Sequence, residues 1–111
     1  MNNLNSVLIE GILLQDPEEK VLVSGTVYLF TIESKGYYQS VTETEEESSN
    51  FNIEVWGVLA KACLQNLKKG RGVRVVGRLK EYRWEDAFGK AQSQVKIIAE
   101  HVEFKPLKKG D

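Results

Sequence analysis

The sequence is poor in the residues that build disulfide-bonded and metal-bound structures. Its 111 residues include one cysteine, Cys63, and one histidine, His101. A single cysteine excludes an intrachain disulfide and a multi-cysteine metal site, and a single histidine leaves too few ligands for a structural zinc ion within one chain. We therefore expect neither a metal nor an organic cofactor.

Long apolar runs are also lacking. No stretch approaches the roughly 20 apolar residues that cross a bilayer. Residues 1–6 have neither the basic segment nor the apolar core of a signal peptide. The sequence therefore predicts a cytoplasmic protein of one domain with no membrane partner, and its hydrophobic share of 41% is ordinary for a globular chain.

Catalytic groups are scarce as well. His101 lies in the predicted last strand with no nucleophile placed beside it, and Cys63 lies on the apolar stripe of the predicted helix, where a small core residue is the expected role. The glycines of segment 69–72 follow that helix instead of opening one, which reverses the geometry of a phosphate-binding loop. The sequence favours a binding protein over an enzyme.

Charge is unevenly distributed along the chain. The net charge of −1 combines a segment 1–60 with ten acidic and two basic residues and a segment 61–90 with nine basic and three acidic residues. Segment 91–111 adds four basic and three acidic residues. Because a polyanion responds to the local field and not to the total, the +6 of segment 61–90 predicts a surface for nucleic acid.

Alternating apolar residues predict a small β protein. The first strand, 5–14, contains Gly11, which is typical of a bend where a sheet curls. The apolar spacing of Val58–Lys69 predicts one helix, with Lys68 and Lys69 in its last turn and Gly70 as its cap. Further strands are expected at 20–23, 26–34, 50–56, 72–84 and 92–104, the last with a shift of phase between Ala99 and Val102. Five long strands with a helix between the third and the fourth predict an all-β OB-fold, a five-stranded Greek-key barrel.

The polar segment 35–50 differs from its neighbours. It contains the acidic run Glu43–Glu47, and we expect a long, mobile hairpin loop with a solvated tip. Tyr37 and Tyr38 lie near the base of this loop. They either cap the edge of the core or offer rings for stacking, and the sequence leaves both roles open.

Basic and aromatic side chains share one face of two predicted strands. Trp56 alternates onto the polar face of strand 50–56, together with Asn52 and Glu54. In strand 72–84, Val73, Val75 and Leu79 alternate onto the apolar face, and the opposite face carries Arg74, Arg78, Lys80, Tyr82 and Trp84. A single-stranded nucleic acid uses both kinds of side chain, cations for phosphates and rings for unpaired bases. The alternatives are a soluble strand edge for the cations and an oligomer contact for the tryptophans. The candidate nucleic-acid-binding residues are Trp56, Trp84, Tyr38, Tyr37, Arg74, Arg78, Lys80, Tyr82 and Arg71.

Several motifs resemble, in order and spacing, those of the bacterial single-stranded DNA-binding proteins. Segment 11–18 is similar to the family's glycine, leucine and Asp-Pro-Glu signature. Trp-Gly-Val-Leu-Ala at 56–60 resembles its aromatic-Gly-Lys-Leu-Ala junction, with Val58 in place of the lysine. The match continues through 67–79 and 84–90 and covers about residues 4 to 104.

This resemblance implies an OB-fold domain over residues 1–105 that forms a homotetramer, built from dimers that meet through residues 5–10. Such a protein binds single-stranded DNA without sequence preference in replication, recombination and repair, and is associated with the nucleoid. Trp56 and Trp84 match the stacking aromatics of the family, and Tyr38, or Tyr37, matches another. The basic side chains of the fourth strand would contact phosphates.

The chain departs from the family pattern at three places. Asn50 stands where the family has a further stacking tryptophan, and Glu54 with the acidic loop is expected to repel phosphates. Residues 106–111 are expected to be a short, frayed end without the flexible linker and acidic tip that recruit replication and repair proteins. An alternative function is therefore a dimeric OB-fold adaptor of replication restart that acts mainly through protein contacts. An accessory domain of an enzyme and an RNA-binding role also stay open.

Overall fold

The computed structural model describes residues 1–106, with the side chains of Cys63 and Leu64 left outside the description. The expected core position of Cys63 and most of the expected frayed end therefore lie outside the described residues. The elements in chain order are β1 (Val7–Leu13), β2 (Glu18–Leu22), β3 (Gly25–Gln39), β4 (Thr44–Trp56), α1 (Val58–Asn66), β5 (Gly72–Glu85) and β6 (Ala91–Phe104). Among these residues, no helix has the length and apolar character needed to cross a bilayer.

The strands close into a barrel. Their order is β1-β5-β6-β4-β3, and β3 pairs back with β1 at Ile12–Glu33 and Leu13–Ile32. The short strand β2 adds to β3 outside this ring, and β4 and β6 form the one parallel pairing of the described strands. The prediction of a five-stranded Greek-key OB barrel, with its helix between the third and fourth long strands, is confirmed.

The interior follows from the two-residue period of the strands. Tyr28, Phe30 and Ile32 of β3 point inward, as their alternation predicts, and α1 contributes Ala60. The remaining buried core residues are Leu13, Ile53, Val55, Leu67, Val73, Val75, Ile97, Ala99 and Val102. The opposite side chains of the same strands are left on the outer surface of the barrel.

A β-bulge in β6 accounts for the predicted shift of phase. Val76 of β5 pairs with His101, whereas its neighbour Gly77 pairs with Ala99, so Glu100 is an extra residue on β6. The extra residue reverses the alternation, because a strand with one added residue turns its later side chains to the other face. Ala99 and Val102 are therefore both buried.

Segment 35–50 is a two-stranded ribbon, and the prediction of a long loop there is wrong. β3 and β4 stay in antiparallel register from Val27–Trp56 out to Gln39–Thr44. Ser40 closes a tight turn, because its Oγ donates to the Glu43 carbonyl oxygen at 2.6 Å and accepts from the Glu43 amide at 3.0 Å. Backbone pairing has overridden the weak strand preference of the acidic sequence.

The helix is shorter than predicted. It ends at Asn66, so Lys68 and Lys69 lie beyond it instead of in its last turn. Asp16 Oδ1 accepts a hydrogen bond from the Lys69 amide at 2.8 Å, and the Gly70 amide donates to the Leu13 carbonyl oxygen at 2.8 Å. These bonds to the first strand and its turn replace the helical ones and direct the chain into β5.

Beyond the barrel, β5 and β6 continue as a second ribbon. Leu79 was expected on the inner face with Val73 and Val75, but it is exposed because it lies where this ribbon leaves the core. Its backbone is held from the first segment of the chain, since Asn5 accepts from the Leu79 amide at 2.9 Å and donates to the Leu79 carbonyl oxygen at 2.8 Å.

Candidate nucleic-acid interface

The outer face of the barrel over β3, β4, β6 and β5 carries the candidate surface. In register across it stand Leu29, Glu54, Ile98 and Arg78. Residues directly opposite each other on neighbouring strands share a face of the sheet. Trp56 therefore lies on the same outer face as Arg78, although they come from strands that are separated by the helix in sequence.

Glu54 draws the rings of two of these strands together. Its Oε2 accepts a hydrogen bond from Trp56 Nε1 at 3.1 Å and another from the Tyr82 hydroxyl at 2.7 Å. Its Oε1 lies 3.4 Å from Lys96 Nζ. Glu54 is only 5% exposed, so the carboxylate that was expected to repel phosphates from this face is shielded from solvent. Its charge is buried and paired.

Two lysines surround the Tyr82 ring. Lys80 and Lys96 face each other across β5 and β6, and their Nζ atoms lie 4.9 Å and 5.4 Å from the ring centroid. Cations at such distances are attracted to the negative face of an aromatic ring. The Tyr82 side chain is thus engaged at both its hydroxyl and its ring, while Trp56 keeps 36% of its surface exposed.

Trp84 lies further along the same face of β5, on the ribbon that extends from the barrel. It pairs with Gln92 and is 48% exposed. Asp86 shapes the turn beyond it, because Asp86 Oδ1 accepts from the amides of Phe88 and Lys90, both at 2.9 Å. Hydrogen bonding to the Lys90 amide is the main reason that the pKa of Asp86 lies below its ordinary value. The turn thus holds the ribbon that presents Trp84.

Arg74 and Arg71 lie apart from this cluster. Eight residues separate Arg74 from Tyr82, which at strand spacing is about 26 Å. Arg74 is flanked by Glu10 and Glu103, each 3.6 Å from its guanidinium nitrogens. The Arg71 guanidinium lies 5.7 Å from the centroid of the Phe104 ring, at a groove lined by residues of β1, β3 and the segment after β6.

Tyr37 and Tyr38 lie on opposite faces of the β3–β4 ribbon. By alternation from Thr31, which faces outward and donates to Asn52 Oδ1 at 2.9 Å, Tyr37 shares the outer face with Trp56. The Tyr38 ring instead folds over Gly36, where an added Cβ would come within 2.7 Å of it. Covering a strand glycine with a neighbouring ring is a known way to stabilise a sheet edge. Both rings remain exposed.

The environment of Tyr82 predicts how stability varies at high pH. Burial, and then the hydrogen bond to Glu54, raise the pKa of Tyr82 from 10.0 to about 12. The unfolded chain therefore releases this proton first, so the stabilisation is complete below pH 10 and is lost as the pH rises through 12. We expect the difference in unfolding free energy between the wild type and Tyr82→Phe, measured with urea, to shrink over that interval.

The absorbance of tyrosinate provides an independent measurement of the same titration. The wild type minus Tyr82→Phe difference should have its midpoint near pH 12, because it isolates the one hydroxyl. A constant stability difference from pH 9 to 12 would show that the folded protein does not raise the pKa of Tyr82, which would contradict the buried, hydrogen-bonded position of its hydroxyl.

Comparison with known proteins shows the family to which the chain belongs. The model of the Single-strand binding protein family matches residues 4–105, which is nearly the whole described chain. The chain belongs to this family. The resemblance read from the motifs at 11–18 and 56–60 is thereby confirmed.

Relatives in the family come from diverse bacteria. The single-stranded DNA-binding protein of Aquifex aeolicus is 39% identical over 96% of this chain and 74% of its own length. That of Thermotoga maritima is 31% identical over the full chain and 80% of its own length. Single-stranded DNA-binding protein 1 of Chlorobaculum tepidum is 41% identical over 75% of this chain, and the match spans about half, 52%, of that protein.

Solved structures of similar fold include the SSB of Plasmodium falciparum in complex with ssDNA. It superposes with a TM-score of 0.88 over 96% of this chain and 98% of that one, at 20% identity. A deletion mutant of the single-stranded DNA binding protein from Thermus aquaticus gives 0.83 over 93% of this chain and 51% of that one, at 23% identity. At these identities the likeness concerns the fold.

For this member of the family, sequence reasoning missed the part played by Lys96 and the burial of Glu54 on the outer face of the sheet. Lys96 precedes the bulge at Glu100 on β6. Alternation along that part of the strand would have placed Lys96 on the outer face, opposite Lys80 on β5. No sequence signal indicated that the carboxylate of Glu54 would take a hydrogen bond from Tyr82 as well as from Trp56, since the contact with Tyr82 depends on the registers of β4 with β6 and of β6 with β5.

Proposed function

We propose that the protein binds single-stranded DNA without sequence preference, by stacking bases on Trp56 and Trp84 and by contacting phosphates with Arg78 and Lys80. The observation that carries this proposal is the placement of two partly exposed tryptophans and these cations on one outer face of the sheet in a member of the single-strand binding protein family. The function is one of binding, without catalysis.

The chemistry of this face suits unpaired bases. A flat indole offers every base a stacking surface without reading its edge, and phosphates between the bases meet cations along β5. A duplex keeps its bases stacked on each other and offers these rings nothing comparable. The face therefore favours single strands over double strands.

Arg71, Arg74, Tyr37 and Tyr38 are proposed as secondary contacts for a strand that extends beyond the central face. The ion pairs of Arg74 with Glu10 and Glu103 are exposed, so a phosphate can replace the carboxylates at little cost. Tyr37 shares the outer face of the sheet with Trp56. A strand passing along β3 would meet it next.

The exposed apolar side chains of the first strand support the proposal of an assembly. Leu8 and Ile12 of β1 are exposed, and Leu4 precedes them. We propose that residues 1–105 form one domain that assembles into a homotetramer through β1.

We further propose a place in the cytoplasm, with the nucleoid, where the protein protects single strands in replication, recombination and repair and meets the proteins of those processes.

Titration with matched single- and double-stranded oligonucleotides tests the function. Oligothymidine should quench tryptophan fluorescence at low salt, the matched duplex should not, and the logarithm of the affinity should fall linearly with the logarithm of salt concentration. Light scattering on the same samples gives the mass of the assembly. Absence of quenching by oligothymidine at low salt would overturn the proposal.

The mass measurement also addresses the adaptor alternative. A dimer that binds oligothymidine weakly would fit a replication-restart adaptor, whereas a tetramer that binds tightly would fit a strand-protecting protein. The family match and the names of the relatives favour the second. Matched RNA oligonucleotides in the same titration measure any preference for the sugar.

A further inference from the structure

A buried carboxylate lies at the centre of the proposed binding face, which is an unusual place for one. Glu54 is the one charged side chain in the buried class among the side chains that the structure describes. Removing a carboxylate from water is costly unless hydrogen bonds and an opposite charge replace the lost hydration. The partners that stabilise Glu54 must therefore be held firmly.

All three partners of Glu54 belong to the proposed binding face. They are the indole Nε1 of Trp56, the hydroxyl of Tyr82 and the ammonium group of Lys96. We propose that Glu54 is a positioning residue, which fixes the rings of Trp56 and Tyr82 and holds Lys96 in an internal ion pair, so that Lys96 neutralises no phosphate when a strand binds. This inference rests on the proposed function and concerns the separate roles of the residues in its binding site.

Fixing the rings has a direct consequence for binding. A hydrogen bond at Nε1 restricts rotation of the Trp56 ring about the bond that joins it to its Cβ, while part of the ring stays open to solvent. Since the ring is ordered before the ligand arrives, less side-chain entropy is lost on binding.

Holding Lys96 has a different consequence. The Lys96 side chain is 23% exposed, whereas Arg74, whose ion pairs lie at the surface, is 47% exposed. Salt and phosphates compete poorly for a shielded pair. Lys80 is the matched comparison, since it stands opposite Lys96 on the neighbouring strand, contacts the same Tyr82 ring and is exposed.

The dependence of oligothymidine affinity on salt separates these roles. Each phosphate neutralised on a single strand contributes about 0.7 to the slope of log affinity against log salt. We expect Lys80→Gln to lower the magnitude of the slope by about 0.7 and Lys96→Gln to leave it unchanged. Glu54→Gln, which frees Lys96, should raise it by about 0.7, and Glu54→Gln combined with Lys96→Gln should restore the wild-type slope.

Glu100→Gln is the control for the removal of an acidic charge, because Glu100 is exposed at the bulge of β6. It should leave the slope unchanged. If Lys96→Gln lowers the slope as much as Lys80→Gln does, Lys96 contacts phosphate in the wild type and the inference is wrong. The inference also fails if Glu54→Gln leaves the slope unchanged.

The positioning of the ring is tested in the free protein. In a Trp84→Phe background Trp56 is the only tryptophan, since the chain has two. Glu54→Leu, which keeps the volume but accepts no hydrogen bond, should lower the fluorescence anisotropy of Trp56 and raise its quenching by iodide. Glu54→Gln should keep both near the wild-type values, because its amide oxygen still accepts from the indole.

Each outcome bears on a separate claim. Unchanged Trp56 anisotropy in a folded Glu54→Leu protein would overturn the positioning role, and circular dichroism establishes that the variant is folded. Failure of the wild type to bind oligothymidine would overturn the proposed function, while the Trp56 measurements would still stand because they need no ligand.

Discussion

Trp84→Ala is expected to weaken oligothymidine binding by about 5- to 150-fold, the equivalent of about 1–3 kcal/mol for the loss of one stacking platform. Trp84 is about half exposed on a ribbon whose turn is held by Asp86, so its ring is presented without being part of the core. Removing it should cost binding and leave the fold intact. Fluorescence anisotropy of a labelled oligothymidine gives the affinity, and thermal denaturation gives the stability.

Two control variants make this prediction specific to stacking. Trp84→Phe keeps an aromatic face and should retain most of the affinity, whereas a charge or solubility effect would not distinguish phenylalanine from alanine. Val23→Ala truncates an exposed apolar side chain in the turn between β2 and β3 and should have no effect on binding. Equal affinities of Trp84→Ala and the wild type would remove Trp84 from the binding face.

Gly77→Ala is expected to destabilise the fold by about 3 kcal/mol, since an added methyl group has no space at a close approach of two backbones. A Cβ at Gly77 would overlap the carbonyl oxygen of Ile98 on the neighbouring strand. That oxygen is part of the backbone beside the bulge, so β5 and β6 would have to separate. For a domain of this size the melting temperature should fall by about 12 °C.

Gly89→Ala is the matched control for this substitution. Gly89 has a φ of 75° and no atom within 4 Å of an added Cβ, so alanine there meets backbone strain without steric overlap. The cost should be about 1 kcal/mol. If Gly77→Ala is no more harmful than Gly89→Ala, the close approach of β5 and β6 at Ile98 does not exist in solution.

Much of the barrel could be predicted because its local signals agree with its tertiary structure. The alternation of Tyr28, Phe30 and Ile32 indicates one buried face, and the broken alternation after Ala99 indicates a bulge. In both cases the inner side chains are apolar for the same reason that the strand forms there. The sequence pattern and the packing of the core therefore both result from the burial of the same apolar side chains.

The β3–β4 ribbon and the end of the helix could not be predicted in the same way. The acidic residues of the ribbon have little strand preference, and they form strands because the paired backbone continues outward from the barrel. The apolar pattern of the helix extends to Leu67, but hydrogen bonds from Lys69 and Gly70 to the first strand and its turn redirect the chain. Those partners lie more than fifty residues away in sequence.

For the candidate site, the sequence identified which side chains face outward but not which of them meet. Trp56, Tyr82 and Trp84 were assigned to polar faces by alternation, and the structure places them on the outer surface. That Glu54 joins the first two depends on the parallel register of β4 and β6, a long-range property that no local pattern encodes. Which residues contact DNA stays a prediction.

The barrel consists of two halves that are joined along two short edges. One half contains β3 and β4, and the other contains β5, β6 and β1, which pairs with β5. β3 and β4 pair along most of their length, as do β5 and β6, whereas β1 meets β3 at Ile12–Glu33 and Leu13–Ile32, and β4 meets β6 at Ile53–Ile97 and Glu54–Ile98. Trp56 lies in the first half, on β4, and Trp84 lies in the second, on β5. A nucleic acid strand stacked on both tryptophans would cross the edge between β4 and β6 and connect the two halves of the barrel. A bound strand would therefore slow the separation of these halves.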